Sequence, residues 1–266
     1  MSTNRDTFIN FLDSYILGKA SEEHDVCQLI ITKNSTNILF RSILNRFFKV
    51  DIEYKHSIID GYEGIIIINN LGNLRKTVAV MDNDINFKLE YNSSGDTPRV
   101  LVVSDSKRKF SFSLGTNSNL ESKEKRILNM PQPQMRTELS SELISNISKL
   151  YGIFKPENIA VMSLEDSNRN IIKFQSNDST GNVELSLDNE FVDLFKSKRK
   201  NKDDHKFNAS YFLKIIETGK SIFDNVDLQN IIAYENNDVP VSCLLFEFED
   251  DNVSAKYILF PQIDII

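Results

Sequence analysis

The order of the predicted elements constrains this fold more than any other feature, because the same series occurs twice along the chain. Residues 7–19 predict an amphipathic helix, and the apolar stripe within 67–81 predicts a second one. In the second half, 137–151 has one clean apolar helical face and 209–217 predicts a fourth helix. Strand candidates follow each helix, and the second series is offset from the first by roughly 130–140 residues. The sequence therefore predicts two similar α+β domains, each with two helices packed on antiparallel sheets.

The segments between the helices favour β-strands. Within 244–249, Leu244, Phe246 and Phe248 alternate with their neighbours, which is the period of a sheet with one mostly buried face. The predicted strands are 27–32, 37–40, 47–54, 86–91, 100–104, 110–114, 159–164, 171–175, 183–187, 226–234, 241–249 and 253–260.

A polar segment separates the two series. Residues 116–135 are rich in Asn, Ser, Lys, Glu and Arg and include Pro131 and Pro133. Each proline removes an amide donor and fixes φ, so this segment cannot be a central strand or a helix interior. We therefore predict an N-terminal domain over 1–116, a crossover linker over 117–136 and a C-terminal domain over 137–266.

The composition is that of a globular protein, with 40% hydrophobic and 26% charged residues. No apolar run approaches the roughly 20 residues that a membrane span needs. No signal or transit peptide is visible, so we expect a cytoplasmic protein without a membrane partner. Cys27 and Cys243 lie in apolar, strand-like runs and predict two buried thiols, with a disulfide as the less favoured alternative.

Nothing in the sequence predicts catalysis, a metal or a cofactor. No nucleotide-binding or hydrolase motif is present, and three distant histidines leave no Cys/His pair at metal-ligand spacing. The acidic pairs Asp82/Asp84 and Asp203/Asp204 could bind a divalent metal, but polar surface turns are the commoner explanation for such pairs. The net charge of −7 argues against a generally basic nucleic-acid binder, yet it permits positive charge gathered on one surface.

Several segments, taken in order, resemble the PCNA-type sliding clamps of DNA polymerases. The C-terminal run Asp238-Val-Pro-Val-Ser, followed by Ala255-Lys-Tyr-Ile-Leu-Phe-Pro-Gln-Ile, is similar to the end of those clamps. Upstream, Ile171-Ile-Lys-Phe-Gln-Ser and Gly181-Asn-Val-Glu-Leu-Ser are similar to a strand pair of the same family. The linker prolines and the stretch beginning Asn70-Leu-Gly-Asn look more like T4-type phage clamps.

The resemblance implies a non-enzymatic processivity factor that encircles duplex DNA. Three chains would close head to tail into a homotrimeric ring, with sheets outside and helices around the hole. The implied partners are sequence-independent duplex DNA, a replicative DNA polymerase, an ATP-dependent clamp loader and other proteins with short clamp-binding motifs. A non-ring processivity factor of the same fold and a viral structural β-protein without a DNA role are the alternatives. The T4-like features and the Asn/Ile/Lys-rich composition suggest a phage or virus, and hence the host cytoplasm.

Cations on the predicted helices are the candidate DNA contacts, because a sliding ring must hold the phosphate backbone without reading bases. Each one alone is more often an ordinary solvated charge, but every predicted helix supplies at least one. The most basic stretch, Lys196–Lys202, lies outside the helices and favours a solvated loop, with an auxiliary DNA or partner contact as the alternative. The DNA-binding candidates are Arg5, Lys19, Arg75, Lys76, Lys149, Lys214 and Lys220.

The resemblance also implies a partner pocket between the linker and the C-terminal strands. Apolar linker residues need a place to pack, and a groove used by partners would provide one. Core packing is the alternative role for Ile258, and we expect a shallower pocket than the family's because Ile258 and Phe260 replace an aromatic and a small residue. The partner-binding candidates are Ile127, Leu128, Met130, Pro240, Ile258, Phe260 and Pro261.

A ring also needs a free strand edge from each domain. The candidates are 100–104 or 110–114 in the first domain and 171–175 or 183–187 in the second.

Overall fold

A computed structural model describes most of the chain, and four helices occur in the part it describes. The helices are α1 (Arg5–Gly18), α2 (Leu71–Ala79), α3 (Ser141–Phe154) and α4 (Ala209–Ile222). The described residues are 2–18, 27–41, 48–95, 97–115, 135–164, 169–175, 183–187, 192–194, 206–223, 226–235 and 239–261.

The strands of these residues pair antiparallel wherever their register is defined. They are β1 (Thr3–Asn4), β2 (Cys27–Ile31), β3 (Thr36–Arg41), β4 (Phe48–Tyr54), β5 (Gly64–Ile68), β6 (Asp84–Tyr91), β7 (Pro98–Ser104), β8 (Lys109–Ser113), β9 (Met135–Leu139), β10 (Asn158–Leu164), β11 (Arg169–Gln175), β12 (Val183–Leu187), β13 (Val192–Leu194), β14 (Phe207–Asn208), β15 (Val226–Glu235), β16 (Val239–Glu249) and β17 (Val253–Leu259).

The elements form four successive copies of one motif, in which a strand, a helix and three further strands follow one another. The copies are β1-α1-β2-β3-β4, β5-α2-β6-β7-β8, β9-α3-β10-β11-β12 and β14-α4-β15-β16-β17, with β13 between the last two. The sequence predicted a twofold repeat, and the structure resolves each half of it into two copies.

The chain folds as two compact units. Unit 1 comprises Met1–Arg41, Val50–Arg126 and Glu249–Ala255, and unit 2 comprises Ser42–Lys49, Ile127–Phe248 and Lys256–Ile266. Unit 1 contains two sheets with the strand orders β1-β6-β7-β8 and β5-β2-β3-β4. The corresponding orders in unit 2 are β14-β10-β11-β12 and β13-β9-β15-β16-β17.

The two copies within each unit interlock through the strand that precedes each helix. In unit 1, β1 pairs with β6 of the other copy, and β5 pairs with β2. In unit 2, β9 pairs with β15, and β14 pairs with β10. Neither copy can therefore complete its sheets without the other copy of its unit.

All four helices begin at the same kind of cap. An Asn or Ser oxygen accepts a hydrogen bond from the backbone amide three residues on, which satisfies one of the free donors at a helix start. These bonds join Asn4 to Thr7 (3.0 Å), Asn70 to Asn73 (2.7 Å), Ser140 to Leu143 (3.2 Å) and Asn208 to Tyr211 (3.0 Å).

Aromatic side chains fill the core beneath the helices. In unit 1, the Phe8 ring of α1 lies 4.8 Å from the ring of Phe87 and 5.6 Å from that of Phe11. In unit 2, the Phe212 ring of α4 meets that of Phe246 edge-on at 5.4 Å. The apolar faces predicted from helical spacing are therefore the faces that pack on the sheets.

Two predicted helices were too long at their starts. Residues 67–68 belong to β5 rather than to the second helix, because β5 pairs with β2 and Asn70 caps α2. Residues 137–139 belong to β9 rather than to the third helix, because they pair with β15 before Ser140 caps α3.

Other predictions concern the cysteines and the linker. Cys27 and Cys243 are buried and form no disulfide, as predicted. The predicted linker lies almost entirely outside the described residues, so the proposed domain boundaries stay a prediction. No helix in the described part of the chain is long and apolar enough to cross a membrane.

Candidate functional site

In unit 1, an ion pair joins the two helices. Arg75 of α2 donates from Nε to Asp13 Oδ1 at 2.8 Å and from Nη2 to Asp13 Oδ2 at 2.9 Å. This two-pronged geometry is the strongest form of a guanidinium–carboxylate contact. The hydrogen bond to Asp13 raises the pKa of Arg75 above its usual value. The Arg75 charge is therefore permanent but largely balanced by its neighbour.

Arg5 is also tied to its surroundings. Its Nε donates to Asp6 Oδ1 at 2.8 Å and its Nη1 donates to the Met81 carbonyl at 2.9 Å. The bond from Arg5 lowers the pKa of Asp6. Arg5 thus fastens the start of α1 to the chain just beyond α2.

Lys76 of α2 differs from the two arginines. Its side chain is exposed, and it forms no hydrogen bond or ion pair within the described residues. An exposed ammonium of this kind is available for a phosphate oxygen.

In unit 2, a shallow groove of 420 Å³ runs between α3 and α4. Lys220 donates to Ser145 Oγ at 2.5 Å, and Ser148 Oγ donates to Glu217 Oε1 at 2.8 Å, so each bond crosses from one helix to the other. Ser221 completes the lining. The described residues that line the groove supply one cation, one carboxylate and three hydroxyls.

Lys149 of α3 and Lys214 of α4 are exposed, and the ammonium group of neither lysine forms a hydrogen bond or ion pair with another described residue. The four helices carry six cations and four acidic residues, whereas the whole chain has a net charge of −7. Positive charge is therefore modestly enriched on the helices relative to the whole chain.

The C-terminal candidates fall into the core of unit 2. Ile258 is buried in a cluster with Cys243 and Leu245, and the half-buried Phe260 packs against this cluster. Pro261 is buried. Ile258 therefore has the core role named as its alternative, and Phe260 keeps an exposed part that a partner could touch.

The remaining candidates lie wholly or partly outside the described residues. The structure gives only the backbone of Pro240, in β16. Lys19, Ile127, Leu128, Met130 and the Lys196–Lys202 stretch lie outside the described residues.

The structure exposes large apolar side chains that the sequence reading missed. Ile153 at the end of α3 is 72% exposed and is followed by the exposed Phe154, while Val80, just after α2, is 59% exposed. Phe110 on β8 is also exposed. Ile153 and Phe154 extend the apolar character of α3 beyond its buried stripe, which is the one sequence signal that pointed to them.

The strand order distinguishes edge strands from inner strands among the predicted edge candidates. In the described residues, β8 (Lys109–Ser113) and β12 (Val183–Leu187) each end a sheet, whereas β7 and β11 lie inside one.

The acidic pair Asp82/Asp84 lies where the chain enters β6, and Asp84 is the first residue of that strand. Asp82 Oδ2 accepts from Ser106 Oγ at 2.7 Å, and the Asp82 amide donates to Asp105 Oδ2 at 2.9 Å. Asp203 and Asp204 lie outside the described residues. Within the described ranges, no three His, Cys, Asp or Glu side chains are placed to hold a metal ion.

Comparison with known proteins gives a match by structure. No protein-family model matches the sequence, and no curated protein matches it. The chain is similar to proliferating cellular nuclear antigen (PCNA) from Entamoeba histolytica, with a TM-score of 0.69 and 16% identity over 98% of this chain and 97% of that one. It is also similar to a chain of the PCNA2–PCNA3 complex from Sulfolobus tokodaii, with a TM-score of 0.66 and 13% identity over 98% of this chain and 99% of that one. This confirms the predicted fold class: the chain has the PCNA-type DNA-clamp fold over nearly its whole length.

Proposed function

We propose that this chain is a sliding clamp, a non-enzymatic ring subunit that encircles duplex DNA and tethers a replicative polymerase and other DNA-processing proteins. The likeness to PCNA chains over nearly the full length of both partners carries this proposal. An ATP-dependent loader would open the ring, since no residue cluster described above supplies chemistry of its own.

The free strand edges suggest how a ring closes. Among the described residues, β8 ends a sheet of unit 1 and β12 ends a sheet of unit 2. They are the last strands of the second and third copies of the motif. Pairing β8 of one chain with β12 of the next would remove both edges.

Exposed apolar residues support the same contact. Val80 lies two residues before Asp82, which bonds Asp105 and Ser106 in the turn that leads into β8, and β8 carries the exposed Phe110. Ile153 and Phe154 end the helix of the third copy, the copy that contains β12. The patch in the second copy differs from the patch in the third copy. A contact between two different patches is head to tail, and it closes into a ring when the rotation between chains allows it. Six units then correspond to three chains.

The assembly is tested by its mass in solution. Each chain has a mass of 30.5 kDa, and we expect a stable species of three chains by sedimentation or mass photometry. The double substitution Ile153→Ser/Phe154→Ser should dissociate it, whereas Tyr91→Ser, which removes an exposed aromatic elsewhere, should leave it intact. A persistent wild-type monomer would contradict the ring and favour a one-sided processivity factor of the same fold.

The free lysines are the proposed DNA contacts. Lys76, Lys149 and Lys214 have no competing partner in the described residues, so they can make transient phosphate contacts. Arg5, Arg75 and Lys220 are engaged by Asp6, Asp13 and Ser145 and would contribute less, while Lys19 stays a candidate.

Charge reversal of the three free lysines to Glu should reduce polymerase stimulation while the trimer persists. Lys88→Glu, on an exposed position of β6, is the matched control and should not reduce it. If the triple variant stimulates as well as the wild type, the helices do not face DNA.

The partner contact is proposed at the exposed part of Phe260, with Ile258 beneath it. Pro240, Pro261 and the linker residues Ile127, Leu128 and Met130 would complete the pocket. Phe260→Ala should weaken polymerase stimulation without changing the mass of the assembly.

A further inference from the structure

Strand β5 has one edge that the described chain leaves largely open. On one side β5 pairs with β2 along its whole length. On the other side, the contacts lie at its C-terminal end, where Ile68 bridges to Leu114 and the Gly115 amide donates to the Ile67 carbonyl at 2.9 Å. Backbone groups alternate along a strand, so the polar groups of Ile65 point to the same side as those of Ile67.

At Ile65, the side chain of Tyr62 occupies the position that a neighbouring strand would take. The Tyr62 hydroxyl donates to the Ile65 carbonyl at 3.3 Å, a long bond that a strand amide could replace. Burial, and to a lesser degree the nearby Tyr91, raises the pKa of Tyr62, so the hydroxyl keeps its proton. The Ile65 side chain is 39% exposed and Tyr91 is 46% exposed. A register shift between Glu90 and Tyr91 interrupts the ladder here, and such bulges re-aim the side chain.

A half-enclosed cavity of 240 Å³ lies against this edge. Its walls are three isoleucines of β5, residues at the end of β6 and the start of β7, and the two residues after β8. These residues are Ile65, Ile66, Ile67, Asn92, Thr97, Pro98, Arg99, Leu114 and Gly115. The cavity is smaller than the roughly 300–1,000 Å³ of small-molecule sites, so it suits a single bulky side chain. Arg99 is the one charged residue among the described lining residues, and its guanidinium forms no ion pair with another described residue.

Two glycines show that the close approaches around this site are built into the chain. A Cβ on Gly115 would lie 2.6 Å from Asn69 Oδ1 and 2.7 Å from Ile67 Cγ2. A Cβ on Gly64 would lie 2.7 Å from the Tyr62 hydroxyl oxygen. Gly115 lets the residues after β8 pack against the C-terminal end of β5, and Gly64 lets the Tyr62 ring pack against its N-terminal end.

We propose that this surface, the β5 edge with the adjoining cavity and Arg99, docks an extended peptide segment of a partner protein. The segment adds as a strand beside Ile65, places one bulky apolar side chain in the cavity, and sets a carboxylate against Arg99. Main-chain hydrogen bonds would supply affinity, and the cavity and the arginine would supply specificity. The site lies within unit 1, and none of its residues belongs to the pocket proposed at Phe260.

Isoleucine methyl NMR of the full chain tests this proposal, with the peptide acetyl-Thr-Val-Phe-Val-Asp-Thr-amide as the probe. We expect the methyl signals of Ile65, Ile66 and Ile67 to shift saturably, while those of Ile144 and Ile215 in unit 2 stay in place. A single short strand should bind with a dissociation constant of roughly micromolar to millimolar size. Peptides with Ala for the Phe, or Lys for the Asp, should bind more weakly.

Variants distinguish binding at this site from non-specific binding of the peptide. Arg99→Glu should weaken peptide binding by about fivefold, as expected for an exposed charge pair that is reversed. Thr97→Trp, which places a ring at the cavity, should abolish the shifts, whereas Lys88→Glu should not change them. The proposal is overturned if folded wild-type protein shows no shifts at millimolar peptide. It is also overturned if the shifts centre on Ile258, or if the Ile65 signal changes with protein concentration alone, because a second copy would then cover the edge.

Discussion

Replacing Gly219 by alanine should destabilise unit 2, although alanine is normally the better residue in a helix. Gly219 lies inside α4 against Phe248 of β16, and an added Cβ would fall 2.6 Å from Phe248 Cδ1 and 2.8 Å from Cζ. The Phe248 ring has no room to move, because it stacks on Phe223 at 5.5 Å and meets Tyr257 edge-on at 5.3 Å.

Two opposing effects set the magnitude. Glycine in a helix interior costs about 0.5–1 kcal/mol relative to alanine, which favours the substitution. Forcing an extra carbon into a packed core costs about 1–3 kcal/mol, and a contact this close belongs at the upper end. The net expectation is a loss of about 2 kcal/mol, or a melting temperature lower by about 4–8 °C.

Gly152 supplies the matched control. It lies in α3 near its C-terminal end, and nothing stands within 4 Å of its added Cβ. Gly152→Ala should therefore stabilise the protein by about 0.5–1 kcal/mol, the opposite sign. Thermal and urea unfolding of both variants, followed by circular dichroism, measures the difference. If Gly219→Ala unfolds at or above the wild-type temperature, α4 does not approach β16 as closely as described.

Three further substitutions test individual contacts. Asp13→Asn removes the counter-charge of Arg75. If Arg75 then engages one more phosphate of duplex DNA, the plot of log binding constant against log salt concentration should steepen by about 0.9. An unchanged slope would mean that Arg75 does not face DNA. Desolvation acts to raise the pKa of Asp105, but three backbone amides and a neighbouring guanidinium outweigh it, so the folded pKa lies below the usual value. The ionised Asp105 therefore stabilises unit 1 above about pH 4, and this stabilisation is lost as the pH falls. Asp105→Asn should make the free energy of unfolding depend less steeply on pH in the acidic range. An acidic range as steep as that of the wild type would count against this role. Asn208→Ala removes the cap of α4 and should cost about 1 kcal/mol in urea unfolding, while Asn208→Ser should retain most of the stability; equal midpoints for both would contradict the cap.

The fold was predictable from the sequence because its helices are amphipathic and repeat in a fixed order. The strands before the helices were the part that failed. β5 and β9 run into α2 and α3 with only Asn69, Asn70 and Ser140 between, so their apolar residues merge with the helical pattern. The recurring Asn or Ser cap was the signal that separates them, since it marks where each helix starts.

The candidate site was predictable by residue type but not by contact. Arg75 and Asp13 are 62 residues apart and meet only when α1 packs on α2, so no local pattern shows that this arginine is already paired. Ile258 and Phe260 are both large apolar residues in the same C-terminal run, so the sequence does not distinguish them, yet Ile258 is buried and Phe260 is half-buried. Val80 escaped notice because exposure depends on which sheet a helix covers rather than on the residue itself.

Retention on circular DNA tests the ring around DNA more directly than any other measurement. The protein is assembled on a closed circular plasmid, washed at high salt to remove phosphate contacts, and then the plasmid is either left intact or cut once with a restriction enzyme. A closed ring should stay on the intact circle and leave the cut molecule by sliding off its ends. Equal loss from circular and linear DNA would contradict the account, because it would show that charge alone holds the protein in place.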